Sequence, residues 1–252
     1  MTTPATLAGR DTRRGGDKNP PASSRGPSRQ HRAAATTAGV LFITGTVAGM
    51  LSKLFISRVQ DAADPLAFAS AHQGTVVTGA LLVMLMGLSL AFVPIVLLPI
   101  LRPVDEVLAF GYLVIRGAIE TACYVLIAVA WLLLVPMDTV VQGSVVRRAR
   151  LGDLLINSDA TNVVLALVFC LGAGLFYVVL YRSRIVPRWI SVWGLASIPT
   201  YVAAALLVMY GTINADSTAQ NLLCSSMFLQ EMVLAVWMIA RGFRPVDLER
   251  SS

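Results

Sequence analysis

Charge is scarce in this chain. Asp, Glu, Lys and Arg together make up 13% of its 252 residues, while apolar residues make up 56%. A soluble globular domain carries roughly a quarter charged residues, so the polar coat of a soluble fold is missing. Histidine is nearly absent, with only His31 and His72 in the sequence. That excludes a bis-His haem and a three-His zinc site within one chain. Neither histidine lies inside an apolar run, which also argues against an intramembrane serine protease with a Ser–His pair. Cys123, Cys170 and Cys224 all fall in apolar stretches, and no C-x-x-C occurs. They read as small buried hydrophobes, not as disulfide partners or metal ligands. G-x-x-x-x-G-K-[ST], H-E-x-x-H, G-x-G-x-x-G and a potassium-type filter are also absent. No cofactor, metal or catalytic residue is expected.

What is present is long apolar runs. Six spans are expected, at about 34–56, 75–100, 108–135, 160–181, 189–210 and 222–242. Each reaches the roughly 20 residues that cross about 30 Å of hydrocarbon at about 1.5 Å per residue. Only helices satisfy backbone groups in lipid here, because the alternating pattern of a membrane strand does not occur. The expected fold is all-α: an integral membrane bundle of six transmembrane helices over residues 33–245. Pro94 and Pro199 fall inside spans and are expected to kink them. Residues 1–32 are rich in Thr, Ser, Gly, Pro and Arg and read as a disordered tail; residues 246–252 form a second, short tail. An export signal is the lesser alternative for this region, since Arg13-Arg14 lacks an apolar follow-on and the first span is too long.

The net charge of +6 sits beside the spans, so it speaks for orientation and not for nucleic acid. With six spans, the side holding both termini collects fourteen Lys and Arg residues, against at most five on the other. The positive-inside rule then places both termini in the cytoplasm of a cell (inner) membrane protein. Arg147, Arg148 and Arg150, in the long connection after span three, run against that count. This connection, from Pro136 to Asp159, reads as a helix lying at the interface. Asn157, Ser158 and Asp159 carry helix-starting chemistry for span four.

Three stretches carry a resemblance. Tyr181-Arg-Ser-Arg-Ile-Val-Pro-Arg-Trp-Ile-Ser-Val-Trp-Gly194 is the most specific. Gly111 to Glu120 holds an Arg and a Glu four apart, and Gln230-Glu231 precedes Ala235-Val-Trp237 and Arg241-Gly-Phe243. Together they resemble a prokaryotic membrane family, domain of unknown function 4386, over roughly residues 34–245. The chain departs from that pattern at Ser225 to Phe228, where the family often has a proline before the Gln–Glu pair. The resemblance implies six helices. It implies no substrate and no catalytic residue.

Twelve of fourteen carboxylates lie outside the spans; Glu120 and Glu231 lie inside, with Arg116. Arg116 and Glu120 are four apart and share a helix face. Both glutamates fall near the bilayer midplane, where a charge costs at least about 2.5–3.5 kcal/mol and seeks the bundle interior. One Arg neutralises one Glu, so the odd carboxyl needs a proton or a donor such as Tyr124, Gln230 or Ser226. The preferred reading is non-enzymatic: a structural, accessory or regulatory membrane protein with a buried ion cluster between helices three and six. The alternatives are a small proton- or cation-coupled transporter using Glu120 and Glu231, and a lipid-acting membrane enzyme. Arg182, Arg184, Arg188, Trp189 and Trp193 read as an interfacial anchor, with anionic lipid headgroups as the more specific reading. The bilayer is the one partner expected.

Overall fold

The computed structural model describes residues 29–156, 159–214 and 217–243. Eight helices appear among them. They are α1 (Arg29–Gln60), α2 (Pro65–Ala71), α3 (Gln73–Leu101), α4 (Glu106–Val140), α5 (Val145–Ile156), α6 (Asp159–Ser183), α7 (Arg188–Met209) and α8 (Thr218–Arg241). Six of these, all but α2 and α5, are long and apolar enough to cross a membrane. The protein is an all-α, multi-pass membrane bundle, as the apolar runs required.

Local chemistry sets the ends of the helices. Asp64, Asp105 and Ser217 cap α2, α4 and α8 by accepting from the amides of Ala67, Leu108 and Gln220. Gly242 (φ +67°) follows the last turn of α8, a backbone shape costly for other residues. Helix α1 begins at Arg29, a turn inside the stretch expected to be a tail. The rest of that expectation, residues 1–28, lies outside the described residues, as do Asn157 and Ser158. Pro94 in α3 and Pro199 in α7 interrupt neither helix. α8 likewise runs unbroken through Ser225 to Phe228.

The six spans form a closed ring in chain order. α1 packs on α3, α3 on α4, α4 on α6, α6 on α7, α7 on α8, and α8 returns to α1. Closure depends on a glycine. A Cβ at Gly39 of α1 would stand 2.7 Å from the Ala235 carbonyl oxygen of α8, so only hydrogen lets these two backbones approach. The ring is inverted relative to a soluble fold. Leu81, Phe92, Leu126 and Val236 face outward, as lipid-facing side chains should. Arg116, Glu120, Ser191, Ser197 and Gln230 are buried within.

α2 and α5 lie at one end of the ring, against the far end of α4. Arg148 of α5 fixes them there. Its Nε donates to Asp64 Oδ2 at 2.7 Å, and its Nη1 to the carbonyls of Val141 (2.9 Å) and Asp138 (3.3 Å). Its Nη2 pairs with the carboxylate of Asp138. The connection after span three therefore holds a helix, pinned by one of the arginines that ran against the positive-inside count.

Candidate functional site

The centre of the ring is built around one side chain. Between Leu113 and Glu120, α4 widens into a π-helical segment, a distortion frequent at functional sites. Arg116 sits in it. Helix α4 stands opposite α8 in the ring, and neither packs closely on the other. The Arg116 side chain crosses the interior. Its Nη2 donates to Glu231 Oε1 of α8 at 3.2 Å. Its Nη1 lies 3.5 Å from Glu120 Oε2 on its own helix. Arg116 and Glu120 side chains are 2% and 1% exposed, whereas Glu231 is 15% exposed. The two members on α4 are sealed, and Glu231 is the least buried of the three.

Aromatic rings complete the seat. The guanidinium lies 4.9 Å from the Phe169 ring centroid and 5.6 Å from that of Phe42, within cation–π range. These rings come from α6 and α1, so four of the six spans meet at Arg116. Tyr112, one turn earlier on α4, stacks on Phe176 of α6 at 4.6 Å. Tyr124 donates to Glu120 Oε1 at 3.2 Å. Of the three donors the sequence offered for the odd carboxyl, only Tyr124 serves. Gln230 is engaged elsewhere: it accepts from Tyr177 at 2.6 Å and donates to the Ile190 carbonyl at 3.1 Å. Ser226 accepts from Trp193 at 3.0 Å and shares a 2.8 Å hydrogen bond with Ser197. Three atoms at the centre stay unsatisfied: Arg116 Nε, Glu120 Oε2 and the Tyr112 hydroxyl are buried without a hydrogen-bond partner.

These residues fall within a region that decides the affiliation. The model of the domain of unknown function (DUF4386) matches residues 37–242. The chain belongs to this family. No curated protein and no solved structure matches the chain. In this DUF4386 protein the match takes in all six spans, the central cluster and the Arg–Trp loop.

The Arg–Trp loop disperses its side chains. Arg182 donates to Asp105 at 2.7 Å, tying the end of α6 to the start of α4. Arg188 lies over the Tyr181 ring at 4.9 Å. Arg184 is exposed and adopts a left-handed backbone (φ +53°), a turn that buries Ile185 and Val186 completely. Trp189 is 53% exposed and stacks on Trp193 at 6.3 Å. The Trp193 indole N–H points inward, to Ser226. Arg182, Arg184 and Arg188 therefore serve separate places and do not converge on a common centre. Sequence reasoning also missed the Tyr177–Gln230–Ile190 link. Two adjacent polar residues in an apolar helix were the available signal, but the tyrosine 53 residues upstream was not.

Proposed function

We propose that this protein is a non-enzymatic membrane component, structural, accessory or regulatory in role, in which Arg116 ties opposite sides of the helix ring together. The supporting observation is the reach of one guanidinium from α4 to a carboxylate on α8, helices that are not neighbours in the ring. Removing one partner of a buried pair leaves the other uncompensated, which typically costs about 3–5 kcal/mol. The arginine count supports an inner-membrane placement with both termini cytoplasmic. The pairing of Arg148 with Asp64 and Asp138 weakens the one dissenting cluster. The exposed Arg184 and Trp189 suit the headgroup layer at the cytoplasmic end, where anionic lipid is the fitting ligand.

A second reading is a small proton- or cation-coupled transporter. It is favoured by two carboxyls sharing one guanidinium, with Glu231 partly accessible. One experiment separates the two. Under the tie, Glu231→Ala in detergent lowers the melting temperature sharply. Glu231→Gln, which keeps an oxygen for Arg116, lowers it less, and neither variant alters flux in proteoliposomes. Normal melting of Glu231→Gln with abolished proton or solute flux supports transport and sinks the tie as the primary role.

A further inference from the structure

Two side chains cross the interior of the ring to adjacent residues of α8. From α4, Arg116 donates to Glu231 at 3.2 Å. From α6, Tyr177 donates to Gln230 Oε1 at 2.6 Å. Neither α4 nor α6 is a neighbour of α8 in the ring. Successive residues of an α-helix point about 100° apart, so the direction in which Gln230 is held sets the direction in which Glu231 points.

Gln230 is held from two sides. Its Nε2 donates to the Ile190 carbonyl of α7 at 3.1 Å, and the residue is 0% exposed. A backbone carbonyl only accepts, so the amide nitrogen must face Ile190 and the amide oxygen must face Tyr177. Turning α8 away from this position would leave both amide groups buried without partners, which is costly. Tyr177 is itself fixed. Its ring fills the place of a side chain at Gly194 of α7, where a Cβ would stand 2.7, 2.8 and 2.9 Å from three ring carbons. Phe176 lies against the Tyr177 ring at 5.7 Å and stacks on Tyr112, one turn before Arg116. The contacts that hold Gln230 therefore lead back to the helix that carries the guanidinium.

The tolerance is small. Rotating α8 by about 20° carries a side-chain tip, at a radius of about 5–6 Å, through about 2 Å. That is enough to break the 3.2 Å bond from Arg116.

We propose that Gln230, clamped by Tyr177 and the Ile190 carbonyl, is the positioning residue that aims Glu231 at Arg116. The inference rests on the tie proposed above and names what sets its geometry.

The test uses the full-length protein in lipid nanodiscs, labelled with ¹³C only at glutamate carboxyls. The sequence has four glutamates, and the infrared band of Glu231 is the one lost in Glu231→Gln. Tyr177→Phe removes the hydroxyl and keeps the ring. Gly194→Ala keeps the hydroxyl and displaces the ring. Trp193→Phe is the control, because it removes a different link between α7 and α8, the 3.0 Å bond to Ser226 one turn before Gln230. The expected result is a shifted Glu231 band in Tyr177→Phe and in Gly194→Ala, and an unshifted one in Trp193→Phe. The double variant Tyr177→Phe/Glu231→Gln should also lose less melting temperature than the two single losses added together. If Tyr177→Phe does not fold, Gly194→Ala decides alone. An unmoved Glu231 band with additive losses overturns the proposal, and so does a band moved equally by Trp193→Phe. If Glu231→Ala still melts early in that case, the tie stands and only its positioning is lost. A band that moves as expected, in a protein whose Glu231→Ala variant melts like wild type, keeps the positioning and removes the tie.

Discussion

Arg116 and Arg148 have the same ionic formula, one guanidinium between two carboxylates, and opposite surroundings. Arg148 stands at the end of the ring with its side chain 14% exposed. It spends its donors on Asp64, Asp138 and two backbone carbonyls. Water at the rim screens whatever charge is left. Arg116 sits where four spans meet, leaves its Nε unbonded, and faces two carboxylates with its side chain 2% exposed. At the rim, geometry is the constraint and charge is incidental. At the centre, charge is the constraint, and both Arg116 and Glu120 lie in the widened turn of α4.

The sharpest way to break this comparison is to remove each arginine in turn. Arg116→Leu should cost about 3–5 kcal/mol and abolish a stable monodisperse fold in detergent, because two buried carboxylates lose their counter-charge. Arg148→Leu should release α5 and leave the bundle melting nearly unchanged. Equal losses of melting temperature in the two variants would erase the distinction between centre and rim. A smaller effect tests the closure of the ring between α1 and α8. Gly39→Val forces a methyl-bearing carbon against the Ala235 carbonyl and should cost about 1–3 kcal/mol, while leaving α5 protected from hydrogen exchange.

Acid probes the rim through Asp64. The hydrogen bond from Arg148 holds the Asp64 carboxyl below its ordinary range. A carboxyl whose folded value is depressed stabilises at every pH above its unfolded value, about 3.9, and that contribution fades as pH falls through the lower folded value. Amides of α5 should therefore lose exchange protection below about pH 4 in the wild type. In Asp64→Asn they should be already less protected at neutral pH and respond less to acid, through Asp138 alone. Identical acid profiles for the two proteins would count against the latch. The smallest effect is expected at Arg184. Relief of its left-handed strain is offset by the entropy of glycine, so Arg184→Gly should stabilise by only about 0.5 kcal/mol, read as a small rise in melting temperature.

Much of this molecule was legible beforehand, for a physical reason. Apolar length and scarce charge are one-dimensional quantities, and the bilayer converts them directly into spans. The isolation of Arg116, Glu120 and Glu231 was equally visible, because charge inside an apolar run has few places to go. Partners were harder to read. Tyr124 could be named because it lies one turn from Glu120. Tyr177, Asp64 and Phe169 meet Gln230, Arg148 and Arg116 only after the ring closes. Trp193 read as an anchor by its position beside Trp189, yet helical rotation turns its indole toward Ser226. The π-helical segment had no signature in composition.

That widened turn sets the phase of everything after it. A π turn takes up about one residue more than an α turn, so the half of α4 beyond Glu120 is rotated by roughly 100° from where a regular helix would aim it. Tyr124, Ala128, Trp131 and Leu134 are buried in this offset orientation. Closing Leu113 to Glu120 into a regular α-helix without removing a residue should therefore act at a distance. It would swing this stripe out of alignment and present a different set of side chains to the neighbouring helices, with no change in the sequence of the affected half.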